Sequence, residues 1–171
     1  MQEHKNQFSR AGFFRRLAAM IYDFLVAVAV GMCAGLVMLV ALLIMFESQI
    51  IDQTGHEHFM DLMQHSIVYP LILQIWVTLW VVCFFLWFWR NGGQTIGMRA
   101  WRLRLFSTND KTFGYGRALL RLVCSLGGLG TLLVLLDIKS KLSLQDRLTN
   151  TEILVLSKEA NHHTSWKNIQ H

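Results

Sequence analysis

The chain is expected to fold as an all-α membrane protein, with two long transmembrane helices, a third apolar segment and a small cytoplasmic β pair. Three observations predict this. Of its 171 residues, 53% are hydrophobic and only 16% charged, against about 25% charged in ordinary soluble domains. The apolar residues collect in three long runs. The basic residues stand beside those runs, so the net charge of +5 reads as flanking charge that sets topology and meets anionic lipid, not as a nucleic-acid footprint.

Residues 1–9 read as a polar N-terminal tail, 10–157 as the membrane domain and 158–171 as a disordered polar tail containing His162, His163 and His171. Lys5, Arg10, Arg15 and Arg16 make the N-terminal end basic. Phe8, Phe13 and Phe14 suggest a short lead-in lying on the membrane surface. The first span covers about 17–46, long enough to cross a bilayer. It is too long for a signal sequence and lacks a small-residue exit, so it is expected to remain as an uncleaved anchor.

Asp23 is the one charge in that run. An aspartate at a bilayer centre costs about 2.5–3.5 kcal/mol on insertion scales, so it must face protein or water. Arg16, seven residues earlier, lies within about 20° of it around a helix and is its nearest candidate partner. Two readings stand: the pair anchors the helix at the interface, or Asp23 binds or couples something. Ala19, Ala27, Gly31 and Gly35 share the row of Asp23. The Gly31-x-x-x-Gly35 spacing lets another backbone approach closely, and a contact within the chain is expected there.

Residues 47–66 hold Glu47, Asp52, Glu57 and Asp61 with no lysine or arginine. Against the basic N-terminus, this places the loop outside and the N-terminus in the cytoplasm. If the loop is helical, Glu57, Asp61 and His65 share one face, but the zinc-type His-x-x-x-His pair is missing and no metal site is expected. The second span covers about 67–89, with Pro70 tolerable in its first turn. Gln74 and Thr78, four apart, form a polar strip expected to bond to a neighbouring helix or to line a path. Trp87 and Trp89 beside Arg90 fit an aromatic belt at the inner interface.

Residues 90–118 carry Arg90, Arg99, Arg102, Arg104, Lys111 and Arg117 against Asp110 alone, as a cytoplasmic loop should. Trp101 to Leu105 alternates with strand periodicity. A helix is expected from Phe113 or Gly114, with Arg117 and Arg121 on one face. The third apolar segment, 118–136, breaks at Gly127-Gly128-Leu129-Gly130 and is followed by Lys139, Lys141 and Arg147. A re-entrant hairpin returning to the cytoplasm accounts for this better than a third full span, which remains the alternative. Residues 151–156 read as a strand, and the strand at 101–106 is its expected partner, because a lone strand leaves its backbone groups unpaired. Asp137 and the Asp146-Arg147 pair suggest a structured loop at the inner surface. Cys33, Cys83 and Cys124 stand singly in apolar segments and read as packing residues.

Four motifs, in order, resemble those of the RDD family of membrane proteins. They are Arg16-Leu17-Ala18-Ala19-x-x-x-Asp23; Gly93-Gln94-Thr95-x-Gly97; Phe113-Gly114-x-Gly116-Arg117-Ala118-Leu119-Leu120-Arg121; and Asp146-Arg147-Leu148-x-x-Thr151. The resemblance runs from about Arg10 to Leu156. The family takes its name from one arginine and two aspartates, which map to Arg16, Asp23 and Asp146, with Asp137 a rival for the last. This chain departs from the pattern at Gln145, Met98 and Asn150, where histidine, lysine and glycine are common. A titrating step at that histidine would be missing here.

The resemblance implies a bacterial inner-membrane protein engaged in transport of an unidentified ligand or in cation/proton exchange. Asp23 would be the charge-changing group and Arg16 its modulator, while Asp137, Asp146 and Arg147 complete the candidate set. So few spans cannot enclose a pathway alone, so this reading requires a homo-oligomer. The rival is a non-catalytic membrane interaction or assembly protein whose basic loop binds anionic lipid or a partner. No Ser/His/Asp set, metal quartet or phosphate-binding glycine loop points to an enzyme, and no cofactor is implied.

Overall fold

The computed structural model describes residues 8–51, 58–108, 113–137 and 140–161. Helix α1 spans Phe13–Glu47, α2 Phe59–His65, α3 Val68–Asn91 and α4 Ile96–Ala100. Strand β1 (Leu103–Ser107) follows, and then α5 (Tyr115–Ser125), which runs into a 3-10 segment (Leu126–Leu132) and α6 (Leu133–Leu136). Helix α7 (Leu144–Thr149) and strand β2 (Thr151–Val155) complete the order. Helices α1 and α3 are long and apolar enough to cross a membrane. The chain divides into two compact units, Val26–Phe84 and the combination of Met1–Leu25 with Phe85–His171.

In the unit Val26–Phe84, small residues bring α1 and α3 together. A Cβ on Gly31 would lie 3.3 Å from Val77 Cγ1, and one on Gly35 3.5 Å from Val77 Cγ2. The Trp76 Nε1–H also donates across the seam to the Ala34 carbonyl (3.1 Å). The glycine spacing is therefore an intrachain contact, as expected. Leu42, Phe46, Ile51 and Leu62 form a buried cluster, with Phe59 edge-on to Phe46 at 5.9 Å; this holds α2 against the end of α1. His65 Nδ1 lies 3.0 Å from the backbone carbonyl of Asp61. Glu57 lies outside the described residues. Of the polar strip, Thr78 Oγ1 donates to the Gln74 carbonyl of its own helix (2.7 Å). A hydroxyl one turn on can always reach that carbonyl, which removes its need for a neighbour.

In the other unit, β1 and β2 pair antiparallel, with Leu103 opposite Val155 and Ser107 opposite Thr151. The strand starts two residues later than its alternation suggests. Arg102 has φ 55°, so Trp101 and Arg102 form the turn that enters β1. An extended segment at Arg10 covers the other edge of β2, where Ala11 N donates to Ile153 O and Val155 N to Ser9 O, both at 2.9 Å. Gly93 (φ 63°) covers the free edge of β1 and accepts from Leu105 N at 2.8 Å. A Cβ there would stand 2.9 Å from the Leu105 carbonyl, so glycine is required. Ala11, Ala19, Met98, Leu103, Leu105 and Ile153 pack as the core beneath the sheet.

The third apolar segment breaks at the expected glycines. Gly127 and Gly128 have φ 65° and 106°, and the helical pieces on either side are bent by 71°. The strands preceding and following the segment lie hydrogen-bonded in one sheet. Its outer face is apolar, with Leu119, Leu120 and Val123 exposed, while Arg117 and Arg121 turn inward and bond to α7 and to residues of the α7–β2 junction. Of the polar C-terminal tail, Ser157 to Asn161 form a turn. Asn161 accepts from Gln94 Nε2 and donates to the Arg99 carbonyl, both at 3.1 Å. The tail histidines and Lys139 lie outside the described residues.

Candidate functional site

One stripe of α1 carries Arg16, Ala19 and Asp23, all buried, yet Arg16 and Asp23 do not pair. Seven residues separate them by about 10.5 Å along the axis, and helical side chains lean toward the N-terminus. Arg16 therefore reaches back, and its Nε–H donates to the Ala11 carbonyl (3.0 Å). The expectation of an Arg16–Asp23 pair is corrected accordingly: the angle around the helix was right, but the axial distance forbids contact.

The partner of Arg16 is Asp146. Arg16 Nη1 donates to Asp146 Oδ2 at 2.5 Å, and Arg121 Nη1 donates to Oδ1 at 2.7 Å. Ser143, at the N-cap of α7, accepts from Asp146 N while Asp146 accepts from Ser143 N. This is the reciprocal capping arrangement that a serine and an acid three residues apart can make. Arg16 is further held by the carbonyl of Lys141 (2.9 Å), and Arg121 by Thr151 Oγ1 (2.7 Å). The side chains of this triad are between 0% and 4% exposed. Burial alone pushes the Asp146 carboxyl up, but the charges of Arg121 and Arg16 and their hydrogen bonds hold it below the usual carboxylate range.

Asp23 is held by neutral donors. Thr95 Oγ1 donates to Oδ2 (2.5 Å) and Gly97 N to Oδ1 (2.8 Å). Thr95 is also the N-cap of α4 and accepts from Met98 N at 3.3 Å. The approach depends on Gly97, where a Cβ would sit 2.2 Å from the Ala19 carbonyl and 2.9 Å from Asp23 Cγ. No cation pairs with Asp23 among the described residues.

The other candidates fall elsewhere. Asp137 accepts from Ser140 N (3.0 Å) and pairs with Arg147 in a more exposed bridge. The Ser140 backbone and, to a lesser degree, Arg147 hold its carboxyl below the ordinary value. Gln145 is buried, and its Nε2 donates to Thr131 Oγ1 (3.0 Å). Met98 lies in the apolar core. Asn150 closes α7 in the left-handed region (φ 49°), which asparagine tolerates better than most residues. The motif reading did not assign Arg121 to the triad or identify Thr95 and Gly97 as donors to Asp23. The Ser143-x-x-Asp146 spacing was the readable signal for the capping arrangement.

Two long apolar helices accompany a buried cluster in which two arginines share one aspartate, while a second aspartate has only neutral donors among the described residues; these are the features of a helical membrane protein with polar groups built into its interior. The chain belongs to the RDD family, a family of membrane proteins, whose model matches residues 10–150. Comparisons with curated proteins and with solved structures returned no match.

Proposed function

We propose that this RDD protein couples the movement of a cation or proton across a bacterial inner membrane, with Asp23 as the group that changes charge. The observation that carries the reading is a buried carboxyl held by two neutral donors, with no cationic partner among the described residues. Such a carboxyl accepts a proton with little rearrangement. When ionised, it accepts from Thr95 and Gly97; a proton on Oδ2 reverses the Thr95 bond, so the carboxyl donates and the hydroxyl accepts. Asp146 is unsuited to that role, because two arginines fix its charge. Arg16, Asp146 and Arg121 then form the rigid frame, and Asp146 takes the place of the second signature aspartate.

The proposed topology puts the N-terminus, residues 90–117 and the tail in the cytoplasm. The third apolar segment enters and leaves from that side, since its flanking strands belong to one sheet. A second reading, docking of anionic lipid at the inner surface, is favoured by exposed Arg99 and Arg102 beside exposed Ile96 and Trp101. Reconstitution into vesicles of neutral lipid, with flux measured for a panel of monovalent cations under an imposed pH gradient, separates the two. Coupling predicts flux without anionic lipid. No flux for any ion, with binding that needs anionic lipid, would favour the second reading.

A further inference from the structure

We propose that the face of α3 bearing Gln74 and Thr78 is the seam on which a second copy of this chain docks. This rests on the membrane placement of α3 and is independent of the coupling reading. Gln74 is exposed, and its side-chain amide has no hydrogen-bond partner among the described residues. Six residues into a helix about 36 Å long, centred on a hydrocarbon layer of about 30 Å, its Cα lies about 6 Å inside the apolar region. An amide left there without partners is costly.

The surroundings favour a like partner. Thr78 already donates to the Gln74 carbonyl, so the side-chain amide is the unsatisfied group of this strip. Leu71 and Ile75 are exposed beside it, and the four residues fall within about 100° of helix circumference. The Val77 face is taken by Gly31 and Gly35 of α1, which leaves the strip beside it free. An amide both donates and accepts, so it is its own complement. Two copies related by a twofold axis along the membrane normal bring Gln74 against Gln74, each donating to the other, with Leu71 and Ile75 packed around the pair.

Single-cysteine proteins in lipid test the seam. Leu71→Cys, with Cys33, Cys83 and Cys124 replaced by alanine, should cross-link into dimers. A protein keeping only Cys83, exposed about 140° away from Thr78, should not. Gln74→Leu, which makes the helix more apolar and therefore insertion-competent, should weaken self-association by roughly 3- to 30-fold, read by photobleaching steps as the protein is diluted in lipid. Gln74→Asn should retain part of the association. A protein that stays monomeric in lipid, cross-links equally at Cys83, or associates unchanged as Gln74→Leu would overturn the proposal.

Discussion

Replacing Asp146 by asparagine keeps the size of the side chain but leaves two guanidinium groups facing each other in the interior. Arg16 retains other acceptors in Ala11 O, Lys141 O and Ser143 Oγ, whereas Arg121 keeps, among the described residues, Thr151 Oγ1 and the face of Trp89. With both arginine side chains at most 4% exposed, neither charge regains water without opening the fold. Breaking a buried pair in this way costs about 3–5 kcal/mol, and a second stranded arginine puts this variant at the upper end. Arg16→Met or Arg121→Met should cost less, because Asp146 then keeps one cation. Thermal or denaturant unfolding in detergent, followed by tryptophan fluorescence, gives the ranking. The pH dependence has a definite sign. The folded carboxyl titrates below its unfolded value of about 3.9, so its contribution is complete at higher pH and is lost as pH falls below about 4 toward the folded pKa. Asp146→Asn should remove that acid-side loss. A cost below about 1 kcal/mol, as for a solvated ion pair, would refute the buried triad.

Gly97→Ala should destabilise by about 1–3 kcal/mol, as overpacking does, because its Cβ would meet the Ala19 backbone at 2.2 Å. The same unfolding assay measures it, and a neutral effect would mean that α4 does not rest on α1. Asp137→Asn should cost far less than Asp146→Asn in that assay, since Arg147 is half exposed and solvent screens the bridge. A cysteine at Ser157 should be labelled by impermeant reagent only in inverted vesicles; labelling from outside intact cells would establish a third full span.

The periodic parts of this fold were legible in the sequence. The lengths of α1 and α3, the glycine seam at Gly31 and Gly35, the glycine break at 127–128 and the pairing of the two strands follow from hydropathy, spacing and the need to satisfy backbone groups. The charge pairing was not legible. Arg16 and Asp146 stand 130 residues apart, and no local pattern relates them. A helical wheel suggested Asp23 for Arg16 because it carries angle but no axial distance. The donors of Asp23 were hidden for a similar reason: Thr95 and Gly97 look like a local turn motif, and only folding shows that the glycine admits α1 and the threonine hydroxyl meets its carboxylate. Arg102 marks another limit, since its left-handed backbone cuts short an alternation that the side chains alone would extend.

The central claim is that Asp23 changes charge during coupled transport, and the most direct measurement is pH-dependent ion flux through reconstituted wild type beside Asp23→Asn and Asp23→Glu. Asparagine can accept from Gly97 N through its oxygen and donate to Thr95 Oγ1 through its amide nitrogen, but it cannot ionise, so Asp23→Asn should fold and carry no coupled flux. Asp23→Glu, with a different reach and pKa, should retain reduced flux with a displaced pH optimum. Wild-type, pH-dependent flux from folded Asp23→Asn would contradict the account.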